Sequence, residues 1–219
     1  MTAFFVTATG TDIGKTYVTA GLIRACRRRG RAVTALKPVA SGFDPLSPES
    51  SDPYALMEAL ELPVTSLERI SPWRFAAPLS PDMAAAREGR TIDMADLEGF
   101  CRESIATQET LFIEGVGGVM VPLTEHDTVL DWMTTLRLPL ILVAGSYLGT
   151  ISHTLTALDV VMRRDLNVAA IVVNETEGSS VPLADTAASI ARFSAGAPVA
   201  TLGRRATDAE FDALLGALI

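Results

Sequence analysis

The sequence predicts an α/β protein, an open and mostly parallel sheet with helices on both faces. Three observations predict it. Six short apolar, β-branched runs alternate along the chain with stretches of helical periodicity. Those runs are nearly uninterrupted in hydrophobicity, as parallel strands covered on both faces are. The first of them leads into "TATGTDIGKT", residues 7–16, a near match to the phosphate-loop pattern G-x-x-x-x-G-K-[ST], and a helix follows.

Taken in order, "AFFVTA" (3–8) is the first strand and 15–29 the first helix, which closes on a cluster of arginines at 24, 27, 28, 29 and 31. Cations are favourable at a helix C-terminus, so the cluster reads as a solvated helix end. "AVTALK" (32–37) is the second strand. Residues 38–92 form the irregular part, rich in Ser and Pro, with a helix at 52–61; loops this long in a compact domain are usually functional. A helix at 93–107 precedes the strand "TLFIEG" (110–115), and "PLILVA" (139–144) precedes a helix at 150–164. "VAAIVVN" (168–174), a helix at 181–193, "PVATL" (198–202) and a helix at 207–218 complete the alternation. With no internal repeat, low-complexity tract or linker, residues 1–219 are expected to form a single domain.

Composition narrows the function. A net charge of −8 argues against broad nucleic-acid or anionic-membrane binding, which needs a basic face. No apolar run approaches the roughly 20 residues of a membrane span, and the start lacks the features of a signal peptide. Two cysteines without C-x-x-C spacing and two scattered histidines predict neither a disulfide framework nor a zinc site. The expected location is cytoplasmic. Among 18 basic residues only Lys15 and Lys37 are lysines, and both follow predicted strands, where α/β proteins build their sites.

The motifs carry the chemistry. In the phosphate loop, Thr9 stands where the pattern asks for glycine, with Gly10 one step later, while Gly14, Lys15 and Thr16 are intact. Inward-facing N–H groups, a helix N-terminus and a lysine over the β/γ-phosphates make a nucleotide site, with the Thr16 hydroxyl reaching Mg²⁺. "KPVASG" (37–42) follows. The second strand is expected beside the phosphate-loop strand, which brings Lys37 to the transferred phosphate; a plain strand end with a snorkelling lysine reads the same residues without a site. Asp52 before Pro53 reads as a helix N-cap as readily as a metal ligand. Glu114 ends an apolar strand before Gly115, Gly117 and Gly118, where P-loop proteins hold Mg²⁺ directly or through water; a plain glycine-rich turn reads the same residues without a site. The Gly149-Thr150 turn is either a simple capped helix or an anion hole. "VVNE" (172–175) lacks the Asn-Lys-x-Asp run that reads guanine, so adenine is expected.

Together "TATGTDIGKT", "KPVASG", "SDPYAL", "IEGVGG", "LGTISH" and "VVNE" resemble the dethiobiotin synthetase family, in order and spacing, over nearly the whole chain. The resemblance implies a P-loop NTPase-like fold and an ATP-dependent cyclo-ligase that closes a cyclic urea on 7,8-diaminononanoate with CO₂, the penultimate step of biotin synthesis. It implies Lys37 and Lys15 as catalytic groups and Thr16, Asp52 and Glu114 as Mg²⁺ ligands. ATP would be bound by Asp12, Ile13, Gly14, Lys15, Thr16, Tyr17, Asp52, Glu114, Gly115, Val116 and Gly117, with Asn174 and Glu175 at the base. Thr11 and Ser41 would touch the substrate, and Gly149, Thr150, Ile151 and Ser152 would receive its carboxylate across a homodimer interface. Tyr147 stands where the family often has lysine, and "LGRRA" (202–206) replaces a Pro-containing segment near the base. Two relatives by fold fit less well. Partition-type ATPases carry an additional lysine early in the loop, absent from residues 6–13, and cobyrinate amidotransferases carry a glutaminase domain for which 219 residues leave no room. A non-catalytic ATP-sensing module is the remaining alternative.

Overall fold

The computed structural model describes residues 1–219. Eight strands and nine helices alternate: β1 (Thr2–Ala8), α1 (Lys15–Arg28), β2 (Thr34–Leu36), β3 (Val39–Ser41), α2 (Asp52–Leu60), α3 (Leu67–Ile70), β4 (Trp73–Phe75), α4 (Pro81–Arg87), α5 (Met94–Thr107), β5 (Thr110–Glu114), α6 (Val129–Leu136), β6 (Leu140–Ala144), α7 (Thr150–Met162), β7 (Val168–Asn174), α8 (Leu183–Phe193), β8 (Val199–Leu202) and α9 (Asp208–Leu218). Six strands form one sheet in the order β2-β5-β1-β6-β7-β8, every pair parallel. All six expected strands are in it.

The period-two geometry of β1 explains why both faces are apolar. Phe4, Val6 and Ala8 enter a buried cluster with Val18 and Leu22 of α1, Leu56 of α2 and Phe211 of α9. Phe5 points the other way, into a cluster with Leu97 of α5, Trp132 of α6, Leu158 of α7 and Ile190 of α8. Helices therefore cover both faces, and β1 ends between two strands that leave it in opposite directions along the sheet. Such a switch point opens a crevice at the carboxyl ends of the strands.

Three expectations are corrected. β2 does not lie beside β1; β5 separates them, pairing with Thr34–Leu36 on one side and Thr2–Val6 on the other. The irregular stretch 38–92 holds more order than expected, because β3 and β4 pair in parallel as a second, two-stranded sheet, with Ser41 opposite Phe75. The helix α6 was unexpected, although Asp131 accepts from the Thr128 N–H at 2.9 Å and its hydroxyl at 2.7 Å, a capping box that the sequence displays. The arginine cluster is also more engaged than a free helix end. Arg28 pairs with Asp208 at 2.9 Å and Asp212 at 2.8 Å, and Arg27 pairs with Glu61. No helix is long and apolar enough to cross a membrane.

Candidate active site

The phosphate loop follows β1 directly. Thr9 N–H donates to Val143 O at 3.0 Å, so Thr9 prolongs the pairing of β1 with β6, which suits a β-branched residue better than glycine. Gly14 adopts the left-handed conformation at φ 100°, and a Cβ there would lie 2.2 Å from the Asn174 side-chain nitrogen. Glycine is needed on both counts. The first turn of α1 carries no side-chain cap, leaving its N–H groups for a ligand.

Lys15 is 7% exposed, and its Nζ donates to Gly117 O at 2.8 Å and Gly10 O at 3.3 Å. Burial, and then the nearby charge of Lys37, lowers its pKa to about 8 against the opposing pull of Glu114, Asp52 and Asp12. The Thr16 hydroxyl donates to Glu114 Oε1 at 2.7 Å. Lys37 Nζ meets the same oxygen at 2.7 Å, Asp52 Oδ2 at 3.0 Å and Gly115 O at 2.8 Å. Burial works against the Lys37 ammonium, yet the Glu114 and Asp52 carboxylates outweigh it and hold its pKa above the ordinary value. For Asp52, burial is likewise outweighed, chiefly by Lys37, and the carboxyl stays below its usual range. Glu114 is fully buried, and its Oε2 has no hydrogen-bond partner.

Asp52 is not the cap of α2. Ser51 takes that position, and Asp52 is the first helical residue with Pro53 second. Its carboxylate is thereby free to face Lys37.

All of these groups but the buried Glu114 open on one cavity of about 690 Å³. Thr11, Asp12, Gly14, Lys15, Thr16, Lys37, Ser41, Asp52, Val116 and Gly117 all line it, as does Gly42 at the end of "KPVASG", and so do Pro78, Ser80 and Val121, which the motifs did not single out. A second depression of about 400 Å³ shares Asp12 and Gly14 and adds Ile13, Tyr17, Asn174 and Glu175. Thr176, Glu177 and Arg204 complete it. The Asn174 amide is oriented by its Nδ2–H bond to Ile13 O at 2.9 Å, which leaves Oδ1 without a partner. "LGRRA" forms a wall here: Arg204 N–H donates to Glu175 Oε2 at 3.0 Å, and Tyr17 links Gly203 O and Ala206 N. Gly149, Thr150, Ile151 and Ser152 line neither cavity. Gly149 starts α7 at φ 98°, Thr150 is buried with its hydroxyl on Gly145 O at 2.9 Å, and Ser152 is exposed. The Tyr147 hydroxyl and His153 Nδ1 share a 2.7 Å hydrogen bond beside this turn.

A family model described as an AAA domain matches residues 2–204. An ATP-dependent dethiobiotin synthetase of Methylobacterium nodulans is 51% identical over 200 residues, covering 88% of this chain and 89% of its own. That of Acidiphilium cryptum is 46% identical over 90% of this chain and 91% of its own. The chain belongs to the dethiobiotin synthetase family. Among solved structures, a ParA family ATPase of Chlorobium tepidum matches with TM-score 0.57 at 15% identity, over 99% of this chain and 89% of its own. The septum site-determining protein MinD of Pyrococcus horikoshii, solved with Mg-ADP, gives 0.56 at 16%, over 99% and 86%. These two establish the P-loop NTPase fold. Family membership also favours the cyclo-ligase reading over a partition-type or ATP-sensing one.

Proposed function

We propose that the protein is an ATP-dependent dethiobiotin synthase that converts 7,8-diaminononanoate and CO₂ to dethiobiotin in biotin biosynthesis. The observation that carries the reading is the shared cavity: both lysines of the chain, Lys15 and Lys37, open on the same space as the phosphate-loop turn and Ser41. One amine takes up CO₂ as a carbamate. A carbamate oxygen attacks the γ-phosphorus, the bond to ADP breaks, and a carbamic–phosphoric anhydride results. The second amine attacks its carbonyl carbon, the carbon–oxygen bond to phosphate breaks, the ring closes, and the ammonium proton passes to solvent.

The protein's contribution is positioning and charge stabilisation, as in phosphoryl transfer generally. Lys15 and Lys37 face the charge that develops on the transferred group, and Thr11 and Ser41 orient the amine substrate. Asn174 Oδ1, an acceptor fixed by the bond of its own amide to Ile13, suits a base with an exocyclic amine, and Glu175 lies beside it. A hard divalent cation fits the remaining donors: the Thr16 hydroxyl, the half-exposed Asp52 carboxylate and the unpartnered Oε2 of Glu114. Mg²⁺ held there would neutralise phosphate charge. Incubating the protein with the diamine, bicarbonate, Mg²⁺ and ATP should yield dethiobiotin by mass spectrometry, with one ADP per product. ATP consumption without that mass would sink the reading.

The same reading makes the chain a single cytoplasmic domain acting as a homodimer, with no nucleic acid or membrane in its function. The Gly149–Ser152 turn, outside both cavities, is then offered to the substrate carboxylate in the partner's site. Lys37→Ala and Gly149→Trp, each inactive, should regain activity when refolded together. Verified mixed dimers no more active than either variant would place the whole substrate within one subunit.

A further inference from the structure

The main cavity has two unlike walls. One group of lining residues is charged, Lys15 at the start of α1, Lys37 after β2 and Asp52 at the start of α2, with Glu114 buried against them. The other, at the end of β3 and in the turn between β4 and α4, is uncharged: Ser41, Gly42, Pro78 and Ser80. Its shape is fixed by backbone bonds from Gly42 N to Ala77 O at 3.1 Å, Phe43 N to Phe75 O at 2.9 Å and Leu79 N to Ala77 O at 2.9 Å. Gly42 has φ 73°, and a Cβ there would press on Pro78 at 3.3 Å. The absence of that carbon lets the turn before Ser80 close against β3.

Ser80 stands at the cap position of α4, where a serine side chain ordinarily accepts from the helix, yet it makes no capping bond. Ser41 Oγ is buried and also without a partner. Two serines without a side-chain partner therefore line the same cavity as the two lysines.

We propose that Ser80 is a positioning residue for the ring-closing step and holds the amine that has not been carboxylated, while Ser41 faces the carbamate side. This rests on the function proposed above. The second amine attacks only as the neutral base, with its lone pair aimed at the anhydride carbonyl. A carboxylate beside it would hold it as an ammonium ion, and the segments that carry Ser41, Gly42, Pro78 and Ser80 bring none to the cavity. A hydroxyl accepts an amine N–H without fixing a charge, and so orients the lone pair. When the amine is misplaced, water attacks the anhydride instead, and carbamate and phosphate are released with no ring formed.

The test is the ratio of ADP to cyclic urea, which a merely structural role does not move. With wild type the ratio should be near one, and with Ser80→Ala it should rise to about three or more, because effective molarity at the carbonyl is lost while phosphoryl transfer persists. The KM for ATP should stay unchanged, and Ser80→Thr, which keeps the hydroxyl, should restore coupling. Ser80→Gly, also a competent cap residue, replaces the alanine variant if that folds poorly. A coupled Ser80→Ala enzyme beside a coupled wild type overturns the role of Ser80 alone. A wild type that makes no cyclic urea overturns the functional reading and this inference with it.

Discussion

Lys37 is held by three acceptors at 2.7–3.0 Å and is 2% exposed, so these contacts fix where its ammonium meets the cavity. An arginine keeps the charge but needs room for a planar fork. Lys37→Arg should therefore lower kcat by about 10²–10³, the usual cost of losing one transition-state contact; steady-state product formation by mass checks it, and near-normal turnover removes Lys37 from the chemistry. Asp52 gives a second test, sharpened by its place as first helical residue rather than cap. Asp52→Asn leaves the Ser51 cap position alone, keeps an amide oxygen for Lys37 and leaves it the Glu114 carboxylate, so the ligand-free protein should still fold and melt cooperatively. The Mg²⁺ concentration for half-maximal rate should rise clearly. A wild-type Mg²⁺ titration would exclude Asp52 as a ligand.

Among the elements, those with strong local signals were legible and those defined by distant pairing were not. All six strands of the main sheet appear as nearly uninterrupted apolar runs, because burial on both faces demands it along the four inner strands; the edge strand β8 is only partly buried. The partner of β2 depends on which strand inserts beside β1, and nothing local encodes that. β3 and β4 are three residues each and separated by 31 residues, so their pairing leaves no periodic trace. The same limit hid Ser80, which lies on a loop flagged only for its length and composition. In the candidate site, Lys15 and Thr16 were legible from the phosphate-loop pattern, and Lys37 and Glu114 because a lysine or acid at a strand end is chemically conspicuous. Arg204 was legible only as part of "LGRRA", because nothing local says which of its residues reaches the depression. On α5, Cys101 supports a pH prediction. Burial pushes its thiol from the usual 9.0 up to about 12. The folded chain keeps that proton while the unfolded chain loses it near pH 9, so the contribution is complete below about pH 9 and is lost as pH rises toward 12. Cys101→Ala should show a shallower fall of melting temperature between about pH 9 and 11. Identical slopes would mean another group governs alkaline unfolding.

Across the whole molecule, α1 and α9 clamp the two ends of the chain together. Gly21 faces the Phe211 ring, where a Cβ would approach to 2.0 Å, and Tyr17 packs edge-on against the same ring at 5.4 Å. Gly21→Ala should therefore displace α9 and cost about 1–3 kcal/mol, as overpacking does, read as a lowered urea midpoint. An unchanged midpoint would mean that α9 contributes little to the fold. Tyr17 extends the clamp, since its hydroxyl bonds Gly203 O at 3.2 Å and accepts from Ala206 N at 2.9 Å. The consequence concerns the order of synthesis. A nascent chain leaving the ribosome presents the phosphate loop well before the wall at Arg204, which follows nearly two hundred residues later. A ligand spanning both cavities, as ATP is proposed to do, gains its full affinity only once that last wall has docked. Its binding energy then stabilises the fully folded chain over every partly made one.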